Sequence, residues 1–157
     1  LANTGFAVLT RDGGRVRALA GGVITTPPGL PLARRLTMLA VDLEQVLDEQ
    51  RPDAVALEDL YFGRNASSAL AVGQARGVVL LCAGRRDLPC SSYTPQQIKQ
   101  AVCGSGAAGK SQIARMVAAQ LGLGDGALTD HTADAFGAAL CHLGHLPLHA
   151  VLAGAAR

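Results

Sequence analysis

The sequence is poor in aromatic residues and in charges. Only 3% of its 157 residues are aromatic and Trp is absent, so the core must be built from aliphatic side chains. Charged residues make up 17%, whereas Ala, Val, Ile, Leu, Met, Phe, Trp, Tyr and Cys together make up 49%. A disordered chain has the opposite balance, because it cannot bury enough apolar surface. The composition therefore predicts one globular domain with a single core over residues 1–157.

Long apolar runs and paired cysteines are also missing. The longest apolar stretches, such as residues 77–84, are far shorter than the ~20 residues that a membrane span needs. The start at Leu1 has neither the basic nor the apolar region of a signal peptide. The four cysteines (82, 90, 103 and 141) form no CxxC pair, which argues against a zinc ribbon. A chain of this length can build a core without disulfides, so we expect reduced thiols and a cytoplasmic location.

The net charge of +2 conceals an uneven distribution. Residues 1–63 carry six Lys/Arg and eight Asp/Glu, and residues 116–157 carry one Arg and three Asp. Residues 64–115 carry seven Lys/Arg and a single acid, Asp87. A basic middle segment between acidic flanks suits a polyanion held beside carboxylates. A solvated helix face with surplus Arg would give the same count.

The spacing of apolar and turn residues predicts an α/β domain with a mixed sheet. Strands are expected at 6–9, 16–25, 54–57 and 90–93, the second interrupted at Gly21-Gly22, with a hairpin turn at residues 11–14. Helices are expected at 32–51, 66–83, 96–103, 111–121 and 129–143. Thr94-Pro95 is typical of a helix start, and Thr129 or Asp130 is expected to cap the last helix.

Two places hold carboxylates where apolar residues would be expected. Glu58 follows an apolar strand, at the end where α/β sheets place their ligands. It either pairs with an Arg or binds a cation. His131 and Asp134, three residues apart, share one face of an apolar helix and could hold a divalent metal together with Glu58. Alternatively they lie at the rim of the helix. Asp130 points about 100° away from His131 and is placed to cap the helix.

Two other patterns are weaker. Residues 104–111 match G-x-x-x-x-G-K-[ST], the phosphate-binding loop of nucleotide hydrolases. That loop must follow a strand, whereas residues 96–103 carry helix signals, so we interpret it as a Gly-rich loop that brings Lys110 towards phosphate. His142, His145 and His149 could form a second metal site, but we expect them to be solvated positions on the last helix and the tail.

Several of these segments together resemble the RuvC family of Holliday-junction resolvases. The resemblance lies in residues 56–70, 73–77, 96–102, 110–112 and 131–135, in matching order over nearly the whole chain. It implies a ribonuclease H-like fold with a mixed five-stranded sheet flanked by helices. It also implies a homodimer that cuts four-way DNA junctions by paired nicks, and association with the RuvA–RuvB branch-migration complex.

The resemblance also implies roles for individual residues. It implies an acidic site with two Mg²⁺, for which Mn²⁺ substitutes. Glu58, His131 and Asp134 match metal-binding positions, and Lys99 and Lys110 match basic residues near the scissile phosphate. Tyr61 matches an aromatic residue that stacks on bases opened at the junction centre. DNA binding is expected at Tyr61, Phe62, Arg64, Asn65, Arg76, Lys99 and Lys110.

One expected ligand is not in the sequence. Family members begin with a strand that ends Gly-Ile-Asp-Pro-Gly, and its Asp would lie three residues upstream of Leu1. We therefore expect the protein to contain a further, central strand there. Two alternatives are an RNA nuclease of the YqgF type and, without that strand, a non-catalytic nucleic-acid binder.

Overall fold

The strands and helices lie close to where the residue pattern places them. A computed structural model of the chain describes residues 2–59, 66–124 and 126–155. Its strands are β1 (Asn3–Asp12), β2 (Arg15–Thr25), β3 (Val55–Glu58) and β4 (Cys90–Tyr93). Its helices are α1 (Leu32–Gln50), α2 (Ala66–Gly84), α3 (Pro95–Cys103), α4 (Lys110–Leu121) and α5 (Asp130–Ala155). The α/β class is confirmed.

The first two strands form an antiparallel hairpin. Gly13 and Gly14 form its two-residue turn with φ of +54° and +87°, the left-handed conformation that glycine adopts without strain. The register shifts between Val8 and Leu9, which leaves Leu19 as an extra, exposed residue of a β-bulge. β2 runs unbroken through residues 21–22, so the predicted interruption there is wrong.

The sheet differs from the expected one. In the described residues, β1 pairs only with β2, and β3 pairs in parallel only with β4. Four strands in two sheets replace the predicted five-stranded sheet, because no strand hydrogen bonds connect β3 to β1. The presence of both antiparallel and parallel pairs agrees with the predicted mixed directions.

Apolar side chains pack on both faces of the strands. Ala7 and Leu9 of β1 face a large cluster formed by α3, α4, α5 and Tyr93 of β4. Phe6, which points the opposite way, packs with Leu39 of α1 and with α2. Helix α5 contacts all four strands, so it joins the two sheets into one body.

The helix ends follow the local sequence signals. Arg51, with φ of 45°, ends α1 immediately before Pro52. Thr94 and Gln97 form a reciprocal capping box at the start of α3. Thr129 caps α5, because its Oγ1 accepts a hydrogen bond from the Thr132 N–H at 3.3 Å. α5 continues to Ala155, twelve residues beyond the predicted end at 143.

The structure also bears on the cysteines and on membranes. The four cysteines are free: Cys82 and Cys141 are buried, Cys103 is half-buried and Cys90 is exposed. Across the parts of the chain that the structure describes, no helix is both long and apolar enough to cross a membrane.

Candidate active site

Glu58 is the last residue of β3 and stands in register with Tyr93 of β4. Its side chain is open to solvent on one side. Protein atoms on the other side desolvate the carboxyl and raise its pKa, and the negative charge of Asp134 raises it further. The positive charges of Lys110 and Lys99 act in the opposite direction. The strand end therefore holds a carboxylate that sits close to a second acid and two cations.

Asp134 reaches this place from α5. Burial raises the pKa of its carboxyl, and the charge of Asp130, one turn earlier, raises it as well. Lys110, His131 and Lys99 lower the pKa of Asp134. Glu58 and Asp134 thus lie together although 75 residues separate them in the chain. Asp130 is the first residue of α5 and does not cap it; of the two predicted caps, Thr129 supplies it.

The two lysines come from two different helices. Lys99 lies half-buried in the middle of α3, and Lys110 is the first residue of α4. The Gly-rich loop between these helices follows α3 and not a strand, as predicted. The loop places Lys110 near the carboxylates of Glu58 and Asp134.

His131 is exposed and influences only one of the two carboxylates. Among the described residues, no three His, Cys, Asp or Glu side chains are grouped closely enough to hold a metal ion. The structure therefore brings together Glu58 and Asp134, and His131 acts on Asp134 from the same helix. The carboxylate pair nevertheless has the chemistry of a divalent-cation site, because two oxygen anions that raise each other's energy are stabilised by a shared cation.

Arg76, predicted to bind DNA, makes its contacts inside the protein. From α2 its Nη1 donates to the backbone carbonyl of Glu58 at 2.8 Å. Its Nη2 forms an ion pair with Asp59 at 3.2 Å and donates to Ser92 Oγ. The other residues predicted to contact DNA from this stretch (Tyr61, Phe62, Arg64 and Asn65) lie outside the described residues.

Gly5 was not singled out in the sequence, although it borders the site. A Cβ at Gly5 would lie 2.0 Å from the His131 carbonyl oxygen. Bare backbone at this position lets β1 approach the first turn of α5, which carries Asp134. Gly5 precedes the strand predicted at 6–9, so it became recognisable as a strand glycine only when the structure extended β1 back to Asn3.

The predicted solvation of the C-terminal histidines is wrong for two of them. His142 Nδ1 lies 2.8 Å from the Tyr93 hydroxyl, and His145 Nδ1 lies 2.7 Å from the Cys141 carbonyl oxygen. Both histidines are half-buried, because α5 packs their rings against Tyr93. They belong to the core contacts of α5. The side chain of His149 lies outside the described ones.

Comparison with known proteins matches almost the whole chain to one family. The family model described as "Crossover junction endodeoxyribonuclease RuvC" matches residues 1–142. The chain belongs to the RuvC family. A RuvC relative from Thermomicrobium roseum is 48% identical over 143 residues, which cover 90% of this chain and 86% of the relative. One from Syntrophomonas wolfei is 42% identical over 142 residues, covering 90% and 83%.

Solved RuvC structures have the same fold. The Thermus thermophilus RuvC structure has a TM-score of 0.85 at 34% identity, covering 94% of this chain and 91% of that one. T. thermophilus RuvC in complex with a Holliday junction substrate also has a TM-score of 0.85, at 37% identity, covering 90% and 87%. These likenesses confirm the predicted RuvC resemblance and its ribonuclease H-like fold. They do not favour the alternative RNA nuclease of the YqgF type.

Proposed function

We propose that this RuvC-family protein is a metal-dependent endonuclease that resolves four-way DNA junctions by paired symmetric nicks in recombination and repair. The observation that carries the proposal is the pair Glu58 and Asp134 with Lys99 and Lys110 beside it. A phosphodiester is an anion, and its hydrolysis adds charge in the transition state. The site combines cation-binding oxygens with fixed positive charges, which is the combination that this reaction needs.

Glu58 and Asp134 would hold Mg²⁺, two ions per site, for which Mn²⁺ substitutes. Carboxylate oxygens are the ligands that Mg²⁺ prefers. When bound, the metal supplies the charge that activates a water and stabilises the leaving oxygen. His131, at the edge of the pair, would act as a further ligand or orient the attacking water.

Lys99 and Lys110 would neutralise the scissile phosphate. Both already lower the pKa of the two carboxyls, so their positive charges reach the place where the phosphate must lie. Tyr61 would stack on bases opened at the junction centre, with Phe62, Arg64 and Asn65 contacting the same DNA.

The principal test measures Mg²⁺-dependent cleavage of a four-way junction and of a linear duplex by the product of the complete gene. Glu58→Gln and Asp134→Asn should abolish cleavage and keep junction binding. Asp130→Asn is the matched control, since Asp130 lies one turn before Asp134 in the same helix, and it should retain cleavage. Mg²⁺-dependent nicking by Glu58→Gln would overturn the metal-ligand assignment.

The same assay tests the alternatives. Binding of junctions without Mg²⁺-dependent nicking would favour a non-catalytic binder, and preferential cleavage of RNA would favour the YqgF type. For Tyr61→Ala, 2-aminopurine at the crossover should report less base unstacking with duplex affinity unchanged. Equal unstacking would refute the stacking role.

We also propose that the protein acts as a homodimer through α2. This helix packs one face on α1 and leaves apolar side chains on the other: Leu70 and Leu81 are 64% and 63% exposed. Gly77 lies between them on the same face, and a Cβ there would meet no atom within 4 Å. A partner copy could therefore approach closely along this face. Two copies would supply one active site for each of the two nicks.

Dimerisation can be tested separately from cleavage. Leu81→Glu should convert the protein to a monomer in analytical ultracentrifugation. Met116→Glu, on an exposed apolar residue of α4, is the control that should leave the dimer intact. A dimeric Leu81→Glu variant would refute this interface. The proposal also includes a cytoplasmic location and association with the RuvA–RuvB complex, because the proposed substrate is DNA.

A further inference from the structure

Arg76 binds the carboxyl ends of the β3–β4 pair together. One guanidinium contacts three groups: the carbonyl of Glu58, the carboxylate of Asp59 and the hydroxyl of Ser92. The side chain of Arg76 is 19% exposed and that of Asp59 is 43% exposed. The guanidinium thus ties the last residue of β3 to its successor and to the neighbouring strand.

These contacts act at the end of a short strand pair. β3 is only four residues long. Beyond Glu58, the Asp59 N–H donates to the Tyr93 carbonyl at 2.7 Å and continues the pairing by one residue. The Glu58 carbonyl accepts a hydrogen bond from Arg76. The direction of this carbonyl fixes the plane of the peptide that joins Glu58 to Asp59.

Only arginine can make this set of contacts. Its planar fork presents several donors in fixed directions, whereas a lysine ammonium is a single flexible point. The pairing with Asp59 also neutralises a charge next to Glu58 and holds the guanidinium in its orientation. Arg76 therefore contributes in two separate ways, through its positive charge and through its directed hydrogen bonds.

We infer that Arg76 is a positioning residue that sets the direction of Glu58 for metal binding, and that it does not contact DNA. The inference rests on the proposed function, because it assumes that Glu58 holds the metal. Residues that orient metal ligands typically change metal affinity or activity by about 10–100-fold when they are removed. Removal of Arg76 should therefore weaken metal binding at Glu58.

The test compares Arg76→Lys, Arg76→Gln and the milder Asp59→Asn with the wild type. The control is Arg85→Gln, since Arg85 lies just beyond the end of α2 in an ion pair with Glu44 and is 65% exposed. Three quantities are measured: Mn²⁺ affinity of the protein without DNA by electron paramagnetic resonance, junction affinity in EDTA, and the Mg²⁺ midpoint of cleavage. Measurements are made well below the melting temperature of each variant.

The Arg76→Lys and Arg76→Gln variants should bind Mn²⁺ at least about 10-fold more weakly than the wild type. Their cleavage should need correspondingly more Mg²⁺, and their junction affinity in EDTA should be unchanged. Asp59→Asn should shift both metal readouts in the same direction by less, and Arg85→Gln should shift neither. Wild-type metal affinity in the folded Arg76 variants would overturn the inference, as would a loss of junction affinity in EDTA. If Glu58→Gln itself retains metal-dependent cleavage, the proposed function fails instead.

Discussion

The close approach of Gly5 to His131 makes Gly5→Ala a sensitive probe of the site. The new Cβ would lie 2.0 Å from the His131 carbonyl oxygen and 2.5 Å from its carbonyl carbon. Real Cβ atoms essentially never come closer than 3.0 Å, so β1 and the start of α5 must separate by at least 1.0 Å. Both contacted atoms are backbone, so no side-chain rotation can relieve the clash.

Gly5→Ala should lower both the stability of the protein and its rate of cleavage, but by different amounts. Overpacking of this kind costs about 1–3 kcal/mol of unfolding free energy. The displaced turn lies directly before Asp134, and a misplacement of about 1 Å at a catalytic group can cost about 100-fold in rate. Cleavage should therefore fall far more than the fraction of folded protein, and excess Mg²⁺ should not restore it.

The assay combines urea unfolding with single-turnover junction cleavage at saturating Mg²⁺. Gly29→Ala is the control, because a Cβ at Gly29 meets no atom within 4 Å. It should leave both quantities within error of the wild type. If Gly5→Ala kept wild-type stability and cleavage, the packing of β1 on α5 would not hold Asp134 in place and the reasoning would be refuted.

Three further predictions concern stability. Leu39→Ala, at a fully buried position, should cost about 2–5 kcal/mol in urea unfolding; a loss below about 1 kcal/mol would contradict the assigned core. Thr94→Ala should cost about 1 kcal/mol, because the capping box of α3 is lost, and Thr94→Ser is the variant that should preserve it. The pKa of Glu58 is raised in the folded state, so folding favours its protonated form and its contribution to stability falls as pH rises from 4.5 through the raised pKa. Glu58→Gln in EDTA should thus be more stable than the wild type at pH 7 and equal to it at pH 3 by urea unfolding; a less stable variant at pH 7 would contradict the shift.

The helices and strands were predicted well, because the residues that form, start and end each of them lie within it or next to it. Leucines spaced three and four apart define α1, Arg51-Pro52 ends it, and Thr94-Pro95 starts α3. The length of α5 was missed because residues 144–155 contain Gly144 and Pro147, which usually end a helix. The division into two sheets was missed because strand pairing depends on contacts between distant segments.

The site was predictable to the extent that its chemistry shows in residue type and motif. Glu58, Asp134, Lys99 and Lys110 were named from the sequence and lie together in the structure. The contacts of Arg76 were not predictable, because they join α2 to two strand ends, and a basic residue in a basic segment looks like a DNA contact. The burial of His142 and His145 depends in the same way on how α5 meets Tyr93.

The position of α5 has a consequence for synthesis on the ribosome. This helix contacts all four strands and carries Asp134, yet it follows the other four described helices in the chain and is therefore synthesised after them. Before it emerges, the two strand pairs lack the helix that packs on both of them, and Glu58 lacks the neighbouring carboxylate of Asp134. A nascent chain that stops short of residue 130 should therefore lack the proposed nuclease site, because that site is assembled only once α5 has been synthesised.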